Sequence, residues 1–148
     1  MNWSKAEFTV SDRKEDMDVT MVHAFLTTSY WAKGINKSTI ERAIANSLCL
    51  GVFYNEKQIG FGRAITDRST FAYLADVFIL EEYRGRGLGK WLVDCFLEHE
   101  ELQGLRRWLL ATLDAHGLYR QKGFVPLQEP QRFMEISMNK PKGYNQAL

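Results

Sequence analysis

The segment that most constrains the fold spans residues 77–90. Val77, Phe78, Ile79 and Leu80 lead through Glu81, Glu82 and Tyr83 into Arg84, Gly85, Arg86, Gly87, Leu88, Gly89 and Lys90. Residues 70–80 are apolar on both faces around Asp76, the pattern of a strand covered from both sides. After the glycines, Leu88, Trp91, Leu92, Cys95, Phe96 and Leu102 recur at helical spacing, with Lys90, Asp94, Glu98 and Glu101 on the opposite face. A buried strand thus enters a long amphipathic helix through a glycine-rich turn. The helix's first unpartnered N–H groups are gathered there, at the positive end of its dipole. Such a turn suits a phosphate or pyrophosphate, because Gly85, Gly87 and Gly89 let the backbone approach an anion with no Cβ in the way. Arg84, Arg86 and Lys90 add local positive charge that the balance of 19 Lys and Arg against 18 Asp and Glu conceals. A net charge of +1 gives no bulk field for nucleic acid or an anionic membrane, and neither is expected as a partner.

The rest of the chain supplies the partners of that unit. Val19, Val22, Phe25, Leu26 and Tyr30 predict a first helix, and Ser38 with Glu41 reads as a capping box opening a second through Ile40, Ala43, Ile44 and Leu48. The period then changes to strands at 48–54 and around Ile59, Phe61, Arg63 and Ile65, joined at Asn55, Glu56 and Lys57 as a hairpin. Beyond Gly104 come a strand over 107–113, a short helix over 115–122 stopped by Gly123, and closing strands over 124–127 and 132–138. Residues 141–146 look loose. The expected fold is α/β (α+β), a mixed and mainly antiparallel sheet flanked by helices in the order βααβββαβαββ. The 148 residues suit one domain, 1–148.

Cys49 and Cys95 lack metal-ligand spacing, so no metal and no disulfide scaffold is expected, and a reducing compartment follows. The charged first sixteen residues do not form a signal peptide, and the longest stretch without Asp, Glu, Lys or Arg, 19–32, is too short to span a bilayer. A soluble cytoplasmic protein is the expectation.

Which phosphate ligand the turn suits narrows by elimination. Arg84 stands where a nucleotide-triphosphate loop needs its first glycine, and Trp91 where it needs a hydroxyl. The dinucleotide fingerprint fails as well, since Lys90 and Leu92 occupy its third glycine in the two possible registers. What remains is R-x-x-G-x-G, read as Arg84, Gly87 and Gly89 between a strand and a helix. This resembles the pyrophosphate loop of the GNAT superfamily of acyl-CoA-dependent N-acetyltransferases. Tyr119, Arg120, Gln121, Lys122, Gly123 and Phe124 are similar to its Y-x-x-x-G-F, and the order of elements agrees. The resemblance covers about residues 6–138.

The resemblance implies acetyl-CoA as co-substrate, with the pantetheine arm pairing along the backbone of Val77, Phe78 and Ile79. It places the pyrophosphate on the N–H groups of Gly85, Arg86, Gly87, Leu88, Gly89 and Lys90. It assigns Tyr119 to protonate the leaving thiolate. Thr112 departs from the pattern, because many relatives carry asparagine there as a cofactor contact.

An amine of pKa about 10.4 is neutral less than one time in a thousand at pH 7, so a base or a water chain is expected. Asp76, an acid in an apolar strand, is the candidate base. The competing reading is a structural acid bonded to backbone or to a nearby arginine. The glutamate that serves as base in some relatives corresponds here to Tyr73. His116, one turn before Tyr119, is either a proton relay or a helix-start residue, and His23 and His99 read as surface or core-edge residues. Cys95 reads as a core residue. Tyr30 and Trp31, with Ser29, either wall an acceptor pocket suited to a flat or apolar amine or pack on the sheet. Arg63, beside Gly60 and Gly62, either meets an acceptor carboxylate or faces an edge.

The resulting expectation is an N-acetyltransferase working by direct transfer in a ternary complex on a small-molecule or peptide amine, as monomer or homodimer. A non-catalytic acyl-CoA sensor and an acyltransferase for longer chains are the alternatives.

Overall fold

Apolar alternation in the middle of the chain produces the sheet. In a computed structural model, whose described residues are 1–138, six strands lie in sequential order. They are β1 (Asn2–Lys5), β2 (Phe8–Ser11), β3 (Leu48–Tyr54), β4 (Lys57–Thr66), β5 (Phe71–Ile79) and β6 (Arg107–Leu109). All neighbours are antiparallel except β5 and β6, which run parallel. The helices are α1 (Val19–Leu26), α2 (Lys37–Ala45), α3 (Leu88–Glu98) and α4 (His116–Gln121).

The period of two in the strands divides the core between the sheet's two faces. Leu48, Leu50 and Val52 of β3 join Leu74 and Ile79 of β5 against Leu88, Leu92 and Phe96 of α3. Cys49, Phe61 and Phe78 point the other way, onto Val22 and Leu26 of α1 and Ile40 and Ile44 of α2. Gly62 lets α3 approach closely, since a Cβ there would stand 2.8 Å from the Phe96 ring.

Several boundaries differ from expectation. The N-terminal strand is a hairpin of two, turning at Ala6, whose φ is 52°. α1 stops at Leu26 rather than Tyr30. α2 starts at Lys37 with Asn36 at its cap and no side-chain cap bond, so Ser38 lies inside the helix and its capping box does not form. β6 is three residues long and α3 ends at Glu98, followed by a 3-10 turn at Glu100–Leu102. The expected strands over 124–127 and 132–138 are absent. Pro126 and Pro130 remove backbone donors, and Val125, Met134 and Ile136 are 64, 98 and 86% exposed, with no neighbouring strand to cover them. The stretch expected to be loose, 141–146, lies outside the described residues. No helix among the described residues is long and apolar enough to cross a membrane.

Candidate active site

Two features of β5 create the site. The first is a bulge. Phe61 pairs with Phe78 and Arg63 with Ala75, so Asp76 and Val77 together face the single residue Gly62. Asp76 takes a φ of 55°, a left-handed conformation that aspartate tolerates better than most side chains. The second is a divergence. β6 pairs with β5 only over Phe71, Ala72 and Tyr73, which leaves the β6-side edge of residues 74–79 without a strand partner. The notch between this edge and the chain at 110–112 is a gap into which an extended molecule can be received by backbone hydrogen bonds.

A short turn joins the strand's end to α3. Arg84 folds back so that its Nε–H donates to the Ile79 carbonyl at 2.9 Å. Arg86 lies over the Tyr83 ring at 5.5 Å. Gly85 and Gly87 have φ of 79° and 77°, with nothing within 4 Å of where a Cβ would stand. Gly87 caps α3 without any side-chain hydrogen bond, and no acidic residue occupies the first turn. The first-turn amides of α3 therefore remain available to an external anion.

At the bulge lies a cavity of about 520 Å³ that brings together Tyr30, Trp31, Arg63, Tyr73, Asp76, Val77, Thr112, Asp114 and Tyr119. Asp76 organises one wall. Its Oδ2 accepts from Arg63 Nε and its Oδ1 from Trp31 Nε1 at 2.9 Å, while Arg63 Nη1 donates to the Ser47 hydroxyl at 3.2 Å. Both carboxylate oxygens are engaged, so the geometry favours the reading of Asp76 as an acid held by a nearby arginine. The same pair leaves Arg63 committed inside the site rather than at an edge. On the far wall the Leu113 N–H donates to the Tyr30 hydroxyl at 3.2 Å, bridging the loop after α1 to the loop before α4.

Tyr119 stands between these walls, edge-on to Phe124 at 5.8 Å. Burial, reinforced by the Tyr30 hydroxyl and the Asp114 carboxylate, pushes its phenol up to about 12. It is consequently a permanent hydrogen-bond donor at neutral pH. Thr112, in the place of the asparagine of many relatives, accepts from the Ala115 N–H at 3.1 Å and helps start α4.

Other candidates fall elsewhere. His116 lines an adjoining gap of about 1150 Å³ between β6 and residues 124–133, which shares Ala111, Thr112 and Tyr119 with the cavity at the bulge. His99 is 1% exposed, its Nε2 at 2.8 Å from Asp12, and His23 meets the Ile35 carbonyl at 3.0 Å. Burial pushes the Cys49 thiol up to about 11 and the Cys95 thiol up to about 12, so neither is a nucleophile. No group of residues suited to a metal ion occurs among the described residues. Phe78 and Ile79 direct their side chains into the two cores, leaving only their backbone for a ligand.

Sequence reasoning did not find Asp114 or the Tyr30–Leu113 bridge, neither of which has a local signature. The Asp76–Arg63 pair left a trace in the glycine opposite the bulge. The Trp31 bond spans 45 residues and left none.

Known proteins share this chain's sequence pattern and its fold. A profile of the acetyltransferase (GNAT) family matches residues 4–124. A Gibberella zeae protein described as an acetyltransferase is 30% identical over 141 residues, covering 80% of this chain and 78% of its own. A crystal structure of a GNAT-family protein from Xanthomonas campestris pv. campestris superposes with a TM-score of 0.87 at 47% identity, over 88% of this chain and 93% of that one. Glucosamine-6-phosphate N-acetyltransferase from Arabidopsis thaliana shares the fold, with a TM-score of 0.60 at 15% identity over 91% of this chain and 98% of its own.

Proposed function

Because the chain belongs to the acetyltransferase (GNAT) family, and is therefore an acyltransferase, we propose that it moves an acetyl group from acetyl-CoA to a primary amine by direct transfer in a ternary complex. The observation that carries this reading is the continuity of three features along β5. The open edge of residues 74–79 runs at one end into the uncapped α3 N-terminus and at the other into the cavity that Tyr119 faces.

In this reading the pantetheine arm lies along the backbone of Val77, Phe78 and Ile79, with the pyrophosphate on the amides from Gly85 to Lys90 and Arg86 and Lys90 beside it. Gly85 and Gly87 supply the left-handed conformations that turn those amides outward. The acceptor enters from the side of Tyr30 and Trp31. Its neutral nitrogen attacks the thioester carbonyl with its lone pair, a C–N bond forms, and the C–S bond breaks with its electrons leaving on sulfur. The nitrogen's surplus proton passes to water. Tyr119 donates a hydrogen bond and then a proton to the thiolate and recovers its proton from solvent. Asp76, with both oxygens engaged, holds Trp31 and Arg63 in place rather than taking the amine's proton. The raised thiols of Cys49 and Cys95 leave no cysteine to carry an acyl intermediate, which supports direct transfer.

In this reading residues 1–148 form a single acetyltransferase domain, and the reaction needs no metal. It is tested by following thiol release from acetyl-CoA across an amine panel, with mass spectrometry of the amine. Amine-dependent thiol release matched by N-acetylated product is expected. Binding of acetyl-CoA without amine-dependent release would instead make the protein a sensor.

A further inference from the structure

The charge and shape of the cavity at the bulge restrict the acceptor beyond its being an amine. Among the described residues its one cation is Arg63, which Asp76 already neutralises at close range, with side chains only 19 and 12% exposed. No lysine lines it. The remaining formal charge is the Asp114 carboxylate, which has no hydrogen bond or ion pair among the described residues. A phosphate or carboxylate on the acceptor would find no free cation among the described lining residues and would be repelled by the solvent-exposed Asp114 carboxylate, whereas an ammonium group would be drawn toward it.

The walls are aromatic and held in position. Trp31 is 42% exposed, yet its indole N–H is fixed on Asp76 and its ring packs against Phe25 at 6.2 Å. Tyr30 meets that ring edge-on at 5.1 Å and is anchored through its hydroxyl to Leu113. Large exposed rings with their polar ends already bonded offer their faces, and the faces of Trp and Tyr attract flat apolar groups and cations.

Resting on the acetyltransferase reading above, we propose that the acceptor is an arylalkylamine: a primary amine on a flat aromatic body that carries no acidic group. Trp31 is its specificity-determining wall, and Asp76 is the positioning residue that holds Trp31.

The test uses three amines that separate the features, 2-phenylethylamine, phenylalanine and putrescine. Phenylalanine keeps the ring and amine and adds a carboxylate on the amine-bearing carbon, and putrescine keeps the amine without a ring. Calorimetric titration of each into the protein saturated with CoA reads binding independently of turnover, and thiol release from acetyl-CoA reads kcat/KM. At least tenfold preference for 2-phenylethylamine over both others is expected in binding and, if the acetyltransferase reading holds, in kcat/KM. Trp31→Ala should weaken its binding about tenfold or more while leaving acetyl-CoA affinity unchanged, and Trp31→Phe, which keeps a ring, should recover most of the loss. Equal or better binding of phenylalanine or putrescine, no detectable binding of any of the three, or indifference to Trp31→Ala in the folded variant would overturn the proposal. Selective binding of 2-phenylethylamine with no thiol release for any amine would leave the pocket assignment standing and remove the acetyltransferase reading. Turnover of putrescine or phenylalanine alone would do the reverse.

Discussion

Single residues decide the chemistry, and Tyr119 is the sharpest case. In the proposed reaction its phenol, pushed up to about 12 by burial, is a donor whose own ionisation leaves no limb in the pH–rate profile between pH 6 and 10. Tyr119→Phe should lower the maximal rate about 10²-fold with acetyl-CoA affinity nearly unchanged. Profiles of parent and variant between pH 6 and 10 should superimpose in shape, because any rise with pH belongs to the acceptor amine losing its proton. Asp76 behaves differently. Asp76→Asn breaks a mostly buried ion pair and releases Trp31, so it should cost about 1–3 kcal/mol of stability, read as a lower Tm. It should also raise the acceptor KM more than it lowers kcat, with the pH limbs unmoved. Loss of the ascending limb in Asp76→Asn would restore it as the base. Asp76 stood out in the sequence because an acid interrupts an apolar strand. Its partners did not, because Arg63 and Trp31 reach it only once β4 pairs with β5 and the loop after α1 folds over the bulge.

Among elements, the turn between β5 and α3 was the most legible, because its signal is local: strand, glycines and amphipathic helix follow one another within thirty residues. The positive φ of Gly85 and Gly87 is the conformation that glycine spacing implies there. Gly87→Ala should cost about 1–2 kcal/mol of stability through backbone strain alone. Gly87→Glu adds bulk and a negative charge at the α3 N-terminus and should weaken acetyl-CoA binding tenfold or more by calorimetry. The face of the sheet that α3 covers has its own constraint at Gly62. Gly62→Ala presses a Cβ against the buried Phe96 ring and should destabilise by about 1–3 kcal/mol in denaturant unfolding, without altering cofactor affinity beyond the loss of folded protein. Elements that depend on distant partners were less legible. The alternating residues 132–138 read as a strand, yet β6 is three residues long and they remain exposed. The Ser38–Glu41 pattern did not become a cap, because the helix begins two residues earlier, with Asn36 at its N-cap and Ser38 already inside it.

For the whole molecule, a mainly antiparallel sheet flanked by helices was readable from periodicity, whereas which helix covers which face became visible only in the packing of α3 on one side and α1 and α2 on the other. Acid stability is also a property of the whole chain. Asp67 closes the β4–β5 turn, accepting from the Ser69, Thr70 and Phe71 amides and the Thr70 hydroxyl, and these bonds hold its carboxyl well below the ordinary range. A depressed folded-state pKa contributes stability above the unfolded value of about 3.9 that is lost as pH falls below it. Asp67→Ala should accordingly lower Tm at pH 7 and narrow the gap from parent as the pH drops toward 3. The proposed transfer would join every part of the molecule, with the α3 turn holding the donor while the bulge presents the acceptor. The most direct measurement is therefore thiol release from acetyl-CoA with mass spectrometry of the amine, run on the parent and on Gly87→Glu. One N-acetylated amine per thiol released by the parent, with kcat/KM for acetyl-CoA falling tenfold or more in a folded Gly87→Glu, is the expected result. Amine-dependent transfer that survives undiminished in that variant, or no transfer by a parent that binds acetyl-CoA, would contradict the account.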